Sequence, residues 1–250
     1  FTPHSTFSSS RVKLVNIERK FREMARYHNF DAILANSSFV RDRLLAGGYP
    51  SSRMHLCHPV LDQGEVEVTA VPEAPEILYV GSLIRGKGVD LLLDSLHLLR
   101  CPFHLTVVGR GKSEDELKGQ VKALGLEDRV TFAGWVANDK VGDYYQRARV
   151  VAVPSAWPEP FGLVGLEAMR YGRPVAAFAV GGIPDWLIHE ETGLLSPEQD
   201  VTSLATSLER LLTDDALAAR LGAGGALRVR EHFSFSGYVE VLEGYLEHSE

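Results

Sequence analysis

The chain has 250 residues, enough for one large core or two modest ones, and it carries a formal net charge of −7 with a pI near 5.7. An acidic chain of this kind gives no electrostatic reason to expect nucleic acid as a partner. No segment approaches the roughly 18 apolar residues of a membrane-spanning helix, and no signal-peptide pattern is recognised. Cys57 and Cys101 lack metal-ligand spacing, so we expect reduced thiols in a cytoplasmic protein.

Residues 1–64 are predicted to alternate helix, strand, helix and strand. In chain order the predicted elements are an amphipathic helix over 12–27, a buried strand over 31–35, a helix ending at 45 with its N-cap in the Asn-Ser-Ser run at 36–38, and a strand over 53–60. The chain begins at Phe1 rather than at a methionine, and we expect a fragment or a processed form of a longer protein.

Residues 65–75 form a polar, charged, proline-containing run, which predicts an interdomain linker. Strand and helix patterns then alternate. Strands are predicted at 77–80, 104–108, 130–132, 150–153 and 175–178, helices near 88–100, 113–124, 139–148 and 162–171, and three further helices without intervening strands over 200–213, 215–231 and 235–248. This order predicts an α/β fold with a doubly wound parallel sheet, in which ligands bind at the carboxyl ends of the strands.

The stretch PSAWPEPFGLVGLEAMRY at 154–171 joins a strand end, a rigid turn and a helix start. Prolines on both sides of Glu159 disfavour the α conformation there, so Glu159 is predicted to lie extended in the loop. The helix is expected to begin near Phe161 or Gly162, which places Glu167 about one and a half turns inside it.

This turn also predicts an anion site. The backbone N–H groups of Phe161, Gly162 and Leu163 would point outward at the positive end of the helix, as in many phosphate sites. Two carboxylates would repel a phosphate, and they make sense if they face hydroxyls at its two ends, a sugar on one side and a ribose on the other. A lone glutamate is otherwise usually a solvated surface charge.

The segment E-P-F-G-L-x-G-L-E-A-M, in which Glu159 and Glu167 form an E-x7-E pair, resembles the signature of the retaining glycosyltransferases of family four. The similarity extends over about residues 76–200, through YVGSLIRGKGVDLLL, LTVVGRGKSEDEL, RVTFAGWV, ARVVAVPSAWPEPFG, GRPVAAFAVGGIPDWL and ETGLL. It implies a GT-B fold of two Rossmann-like domains: residues 1–64 as the end of the acceptor-binding domain, 76–234 as the nucleotide-sugar-binding domain, and 235–250 as a helix that packs back toward the N-terminal domain.

The loop GSLIRGKG at 81–88 follows the first strand of the donor domain. Gly81 allows close backbone approach, and Arg85 and Lys87 could neutralise a diphosphate. Lys87 matches the lysine of the family. Relatives usually carry arginine where this chain has Ser82, and whether Arg85 replaces that arginine stays open.

Other positions take their expected roles from the resemblance alone. Gly109 belongs to a loop near the donor, and Val136 to a segment that holds the nucleotide base through backbone groups. His4 lies in FTPHSTFS, which resembles a loop that places a histidine near the donor sugar; the alternative is an exposed terminal side chain. Asp185 is interpreted as a helix N-terminal charge rather than a catalyst.

The resemblance implies transfer of a hexose from a nucleoside diphosphate sugar to an acceptor hydroxyl with retention, without a cofactor or an obligatory metal. The acceptor would be a sugar, a lipid-linked sugar or a small molecule, and peripheral membrane contact is compatible with the sequence. The residues assigned to catalysis are Glu159, Lys87 and His4, and those assigned to the donor are Gly81, Ser82, Arg85, Lys87, Gly109, Val136, Glu159, Phe161, Gly162, Leu163 and Glu167.

Two alternatives of other classes stay open. The chain could be a non-catalytic module that binds sugar nucleotides, since most of the acceptor domain is missing. A retaining glycosidase also uses two carboxylates, but they must lie about 5–5.5 Å apart. Glu159 and Glu167 are eight positions apart and flank a phosphate-type turn, which disfavours the glycosidase.

Overall fold

The computed structural model describes residues 30–61 and 66–247, with side chains through 245. The predicted helix over 12–27 and His4 lie outside the described residues. The described residues form two parallel sheets, one of two strands and one of six. The parallel strands and the alternating helices confirm the predicted α/β class.

The small sheet comes from the N-terminal segment. Its strands β1 (Ile33–Ala35) and β2 (Met54–Leu56) pair in parallel and are joined by helix α1 (Ser38–Ala46). The Ser37 hydroxyl caps α1 by accepting a hydrogen bond from Val40 N at 3.1 Å. The strand predicted over 53–60 was too long, because a 3-10 turn (Ser51–Arg53) precedes β2 and β1 offers only three residues for pairing.

The large sheet has the strand order β5-β4-β3-β6-β7-β8, and all neighbours are parallel. Its strands are β3 (Glu76–Val80), β4 (His104–Val108), β5 (Val130–Gly134), β6 (Val150–Val153), β7 (Val175–Phe178) and β8 (Gly193–Ser196). The strands β3 to β7 lie where the sequence predicts them, within two residues at each end. The edge strand β8 was missed, because its sequence GLLS has only two large apolar residues and the helix before it has only four residues.

Helices alternate with these strands and follow the last of them. They are α2 (Val89–His97), α3 (Glu114–Ala123), α4 (Asn138–Arg147), α5 (Leu163–Arg170), α6 (Ile183–Trp186), α7 (Val201–Thr213), α8 (Asp215–His232) and α9 (Phe235–Glu247). Helix α2 packs against α3 and α7, and α5 packs against α8. Every residue of β6 and β7 is buried, as expected for central strands of a sheet covered on both faces.

The segment predicted as a linker forms neither helix nor strand over 66–75, but it is fastened to the large domain by two buried arginines. Arg173 donates hydrogen bonds to the carbonyls of Thr69 at 3.0 Å and Ala70 at 2.9 Å. Arg149 donates to the carbonyl of Pro72 at 3.0 Å. The arginines thereby satisfy backbone groups that regular structure leaves unpaired.

The C-terminal helix α9 contacts the small sheet. The Tyr245 ring lies 4.2 Å from the His55 ring, measured between centroids, and the Tyr238 side chain forms a hydrogen bond with Cys57. Burial raises the pKa of the Cys57 thiol. The N-terminal segment therefore packs against the end of the chain.

Candidate functional site

Glycines bring the carboxyl ends of β3, β4 and β5 into backbone contact. Gly81 N–H donates to the Val108 carbonyl at 2.9 Å, and Gly109 N–H donates to the Gly134 carbonyl at 2.8 Å. A Cβ on Gly109 would lie 1.8 Å from the Gly81 carbonyl oxygen, and the Gly109 φ of 141° lies in the region that favours glycine. Gly81 and Gly109, two of the predicted donor-binding glycines, therefore lie in one surface of close-packed main chain.

The loop after β3 is held against the end of β6. Gly88 adopts a left-handed conformation with φ 72°, and a Cβ there would lie 1.7 Å from the Pro154 carbonyl oxygen. The Ala156 N–H donates to the Gly86 carbonyl at 2.9 Å. Because the backbones touch, Lys87 is held beside the loop that carries Glu159.

Lys87 and Glu159 form an ion pair across these two loops. Lys87 Nζ donates to Glu159 Oε2 at 2.5 Å, and the side chains are 30% and 14% exposed. Ser155 Oγ donates to the same carboxylate oxygen at 3.3 Å. Both members of the pair were predicted from the sequence. Ser155 was not, because a small polar residue next to a proline gives no distinctive signal.

Glu159 also lies next to the start of α5. Gly162 is the N-cap of this helix with φ 92°, and a Cβ placed there would be 3.3 Å from Glu159 Cγ. The loop is fixed by Gly182 N–H, which donates to the Glu159 carbonyl at 2.8 Å, and by Trp186 Nε1, which donates to the Phe161 carbonyl at 2.6 Å. The Lys87 ammonium group and the start of α5 therefore both lie beside Glu159. The first N–H groups of such a helix have no intrahelical acceptor and carry a partial positive charge.

Glu167 lies inside α5, as the spacing predicts. Its Oε2 accepts a hydrogen bond from the Tyr145 hydroxyl at 2.7 Å. Tyr145 belongs to α4 and is 2% exposed, and its ring stacks on Tyr171 at 5.3 Å between centroids. Burial and the neighbouring Glu167 carboxylate raise the pKa of Tyr145 well above its usual value. Nothing local in the sequence marks Tyr145, because its partner is 22 positions away.

The remaining donor assignments differ in how closely they approach these carboxylates. Ser82 is exposed, and its carbonyl accepts from the Tyr79 hydroxyl at 3.1 Å. Arg85 is exposed and lines a recess of about 80 Å³ beside Glu116 of α3. This position does not support the idea that Arg85 replaces the arginine that relatives carry at the position of Ser82. Val136 is half-buried and packs on the core.

Two exposed tryptophans lie at this end of the domain, and neither was assigned a role from the sequence. Trp157 is 56% exposed, and its ring lies over Gly86, where a Cβ would be 3.3 Å from the indole. Trp135, next to Val136, is 68% exposed. A tryptophan directly beside a glycine or a proline, after a predicted strand, is the sequence signal that could have identified them.

Asp185 lies in the first turn of α6 as predicted, but its hydrogen bonds go to a different helix. Its carboxylate accepts from the Ser38 backbone N–H at 2.6 Å and from the Ser38 hydroxyl, so it binds the N-terminus of α1. Asp185 Oδ2 also lies 4.0 Å from His58 Nδ1. Asp185 therefore connects the small sheet to the large domain, a role that only the tertiary structure reveals.

The sequence profile of the family described as "Glycosyl transferases group 1" matches residues 65–228, well over half of the chain. The chain belongs to this family. The match covers the large sheet, the Lys87–Glu159 pair and Glu167, and it begins at the segment that Arg149 and Arg173 fasten.

Curated relatives are similar over much of this chain. Mannosylfructose-phosphate synthase of Agrobacterium fabrum is 28% identical over 253 aligned positions, covering 92% of this chain and 56% of the relative. D-inositol 3-phosphate glycosyltransferase of Xylanimonas cellulosilytica is 38% identical over 156 positions, covering 61% of this chain and 37% of the relative. The chain thus spans about half the length, or less, of these curated relatives.

Solved structures share the fold. Sucrose-phosphate synthase from Thermosynechococcus elongatus superposes with a TM-score of 0.81 at 31% identity, covering 96% of this chain and 64% of that one. Anabaena HepE in complex with UDP and glucose gives a TM-score of 0.81 at 22% identity, covering 92% and 67%. These glycosyltransferase neighbours confirm the predicted GT-B architecture.

The described residues were also compared with what a membrane span and a metal site require of helices and side chains. None of the described helices has both the length and the apolar character to cross a membrane. The described His, Cys, Asp and Glu side chains form no group of three or more that could hold a metal ion. His4 lies outside these residues, so its role beside the donor sugar stays a prediction.

Proposed function

We propose that this chain is the donor-binding part of a retaining glycosyltransferase, which moves a hexose from a nucleoside diphosphate sugar to an acceptor hydroxyl. The observation that carries the proposal is the Lys87–Glu159 pair at the N-terminus of α5, with Glu167 farther along the same helix. A cation, a helix N-terminus and two carboxylates match the succession of groups in such a donor: sugar, diphosphate and ribose.

The chemistry follows from where charge develops. When the bond between the anomeric carbon and the β-phosphate oxygen breaks, the diphosphate leaves with the electron pair and the sugar gains positive charge. Lys87 and the N-terminal N–H groups of α5 would stabilise the departing diphosphate. Glu159 would face the sugar, where its interactions strengthen in the transition state and raise the rate rather than the affinity alone.

Glu167 has a different task in this proposal. Its position in α5, with one carboxylate oxygen held by Tyr145, suits it to accept hydrogen bonds from the ribose hydroxyls of the nucleotide. Replacing Glu167 by alanine should weaken nucleoside diphosphate and nucleotide sugar alike. Replacing Glu159 by alanine should depress kcat in the full-length enzyme and leave diphosphate affinity nearly unchanged.

The names of similar proteins support a nucleotide-sugar donor but point to different bases. The HepE structures contain UDP or UDP-glucose, whereas a Mycobacterium tuberculosis relative is named a GDP-mannose-dependent mannosyltransferase. Because backbone groups at the end of β5 would contact the base, side chains give little basis for a choice. The acceptor, a sugar, a lipid-linked sugar or a small molecule, would be selected largely by the acceptor domain.

The alternative of a non-catalytic sugar-nucleotide module predicts the same binding and no transfer. Turnover on a panel of acceptors, measured with this chain and with a full-length relative of it, separates the two. We expect this chain to bind the donor and transfer it poorly, because residues 1–64 supply only part of the facing domain. A turnover of about 1–1000 per second by this chain alone would contradict that expectation. We place the reaction in the cytoplasm, at or near a membrane surface if the acceptor is a lipid.

Calorimetry tests the donor site itself. Uridine, guanosine and adenosine diphosphate sugars are titrated into the chain, and the one that binds is repeated with the Glu167→Ala and Glu159→Ala variants. The proposal expects one-to-one binding, lost in Glu167→Ala and retained for the free diphosphate in Glu159→Ala. Equal losses of diphosphate binding in both variants would show that the two glutamates do not divide the roles as stated.

A further inference from the structure

Tyr145 reaches the site from a helix that carries none of the predicted site residues. It lies in α4, which precedes β6, whereas Glu167 lies in α5, which follows β6. The Tyr145 ring is 2% exposed, and its hydroxyl donates to Glu167 Oε2 at 2.7 Å. The contact therefore joins the two crossover helices on either side of a central strand.

The contact fixes one oxygen of the carboxylate and leaves the other available. A buried tyrosine hydroxyl requires a partner, and here that partner is the half-buried carboxylate. An ionised carboxylate can accept about four hydrogen bonds, so the bond from Tyr145 leaves capacity for two ribose hydroxyls. Burial and the neighbouring Glu167 carboxylate raise the pKa of Tyr145, so the hydroxyl, which in an ordinary tyrosine is already protonated at neutral pH, stays a donor at higher pH as well.

The ring of Tyr145 is held in place independently of this hydrogen bond. It stacks on Tyr171 with an interplanar angle of 16°. The Tyr171 hydroxyl lies beside Gly142 of α4, where a Cβ would be 2.5 Å away. Removal of the Tyr145 hydroxyl alone should therefore leave the ring packed and release only the carboxylate.

We propose that Tyr145 is a positioning residue for nucleotide recognition: its hydroxyl orients the Glu167 carboxylate so that the second oxygen meets the ribose hydroxyls of the donor. The inference rests on the proposed function, since it concerns the same donor site. It adds a residue of α4 to the determinants of the preference for ribonucleotides over deoxyribonucleotides.

The test compares Tyr145→Phe with the matched control Tyr171→Phe. The ligands are a nucleoside diphosphate and its 2′,3′-dideoxy analogue, with both dissociation constants measured by calorimetry. The wild-type protein should prefer the ribonucleotide by about 10- to 150-fold, the value of one hydrogen bond to a charged group. Tyr145→Phe should reduce this ratio by about fivefold or more, and Tyr171→Phe should leave it unchanged.

A second variant, Glu167→Gln, tests whether Tyr145 acts through the carboxylate. Glu167→Gln retains an oxygen that can accept from Tyr145 but replaces the other with an amide, so it should also lower the ratio. In the Glu167→Gln background, Tyr145→Phe should have little further effect, because Tyr145 acts through the carboxylate. An unchanged ratio in folded Tyr145→Phe, or in Glu167→Gln, would overturn the inference. A wild-type protein that binds neither diphosphate would overturn the proposed function itself.

Discussion

The Lys87→Ala substitution tests how the site treats a diphosphate. Lys87 is 30% exposed and pairs with a Glu159 carboxylate that is 14% exposed, so both groups are largely withdrawn from water. A hydrogen bond to a charged group contributes about 1.5–3 kcal/mol, which corresponds to about 10- to 150-fold in a dissociation constant. We expect a loss of this size for a nucleoside diphosphate and a negligible loss for the free nucleoside.

The same substitution leaves Glu159 as an uncompensated carboxylate beside the phosphate position, and this repulsion must be separated from the loss of direct binding. Glu159→Gln removes the negative charge with little change in shape. If Lys87 binds the diphosphate, Lys87→Ala should still weaken binding about tenfold or more in the Glu159→Gln background. If Lys87 only neutralises Glu159, the substitution should have no effect in that background.

Isothermal titration calorimetry supplies the four dissociation constants of this cycle, and Lys122→Ala supplies the control. Lys122 is an exposed lysine in the last turn of α3, so its loss changes the net charge equally without touching the site. The control should bind within about twofold of wild type, as expected for a remote surface charge. Equal losses for nucleoside and nucleoside diphosphate in Lys87→Ala would refute the assignment of Lys87 to phosphate.

Three further predictions concern stability, ionisation and metals. Gly165→Ala should lower the free energy of unfolding by about 1–3 kcal/mol, because its Cβ would lie 1.9 Å from the buried Trp186 ring. The control Gly119→Ala lies in open space on α3 and should raise the free energy of unfolding by up to about 1 kcal/mol. Denaturant unfolding measures both variants, and equal effects would contradict the packing argument. In a Cys101→Ser background, Cys57 should be alkylated more slowly in the folded protein than in the unfolded protein at pH 8, because burial raises the pKa of Cys57 and lowers its thiolate fraction. The difference between the two alkylation rates should narrow as the pH rises. Equal rates at pH 8 would contradict the buried position of Cys57. Donor affinity, measured by calorimetry, should be unchanged by excess EDTA. An affinity that falls in EDTA and that Mg²⁺ or Mn²⁺ restores would disprove metal-free donor binding.

Local patterns were sufficient to predict five of the six strands of the large sheet. The strands β3 to β7 are apolar runs between helical stretches with turn residues at their ends, so each segment carries its own signal. The strand β8 has a weak signal because it is short and follows a helix of only four residues. No local residue pattern gives the order of the strands at the switch between β3 and β6.

The candidate site likewise contains residues that local patterns predict and contacts that they do not. Glu159 and Lys87 could be assigned because proline and glycine mark their loops, but their 2.5 Å contact joins residues 72 positions apart. The contacts of Tyr145 with Glu167 and of Asp185 with Ser38 also depend on how distant elements pack, and neither residue type identifies its partner in the sequence.

Buried arginines show the same limit in the core. Arg149 and Arg173 occupy positions next to strands, where the sequence offers no reason to expect burial of a charge. Their partners include backbone carbonyls of the 69–72 segment, which was interpreted as a linker because of its composition. Composition describes a segment's polarity but not the side chains that reach it from elsewhere in the fold.

A thermal-shift titration with nucleoside diphosphate sugars tests the central claim most directly. A donor present at about 100 times its dissociation constant should stabilise the protein by about 2.7 kcal/mol, which for a chain of this size raises the unfolding midpoint by about 5–10 °C. The account predicts such a shift with at least one uridine, guanosine or adenosine diphosphate sugar, and a much smaller shift in Lys87→Ala and Glu167→Ala. A wild-type protein that none of these sugars stabilises, or variants that respond as strongly as wild type, would contradict the assignment of Lys87 and Glu167 to a donor site.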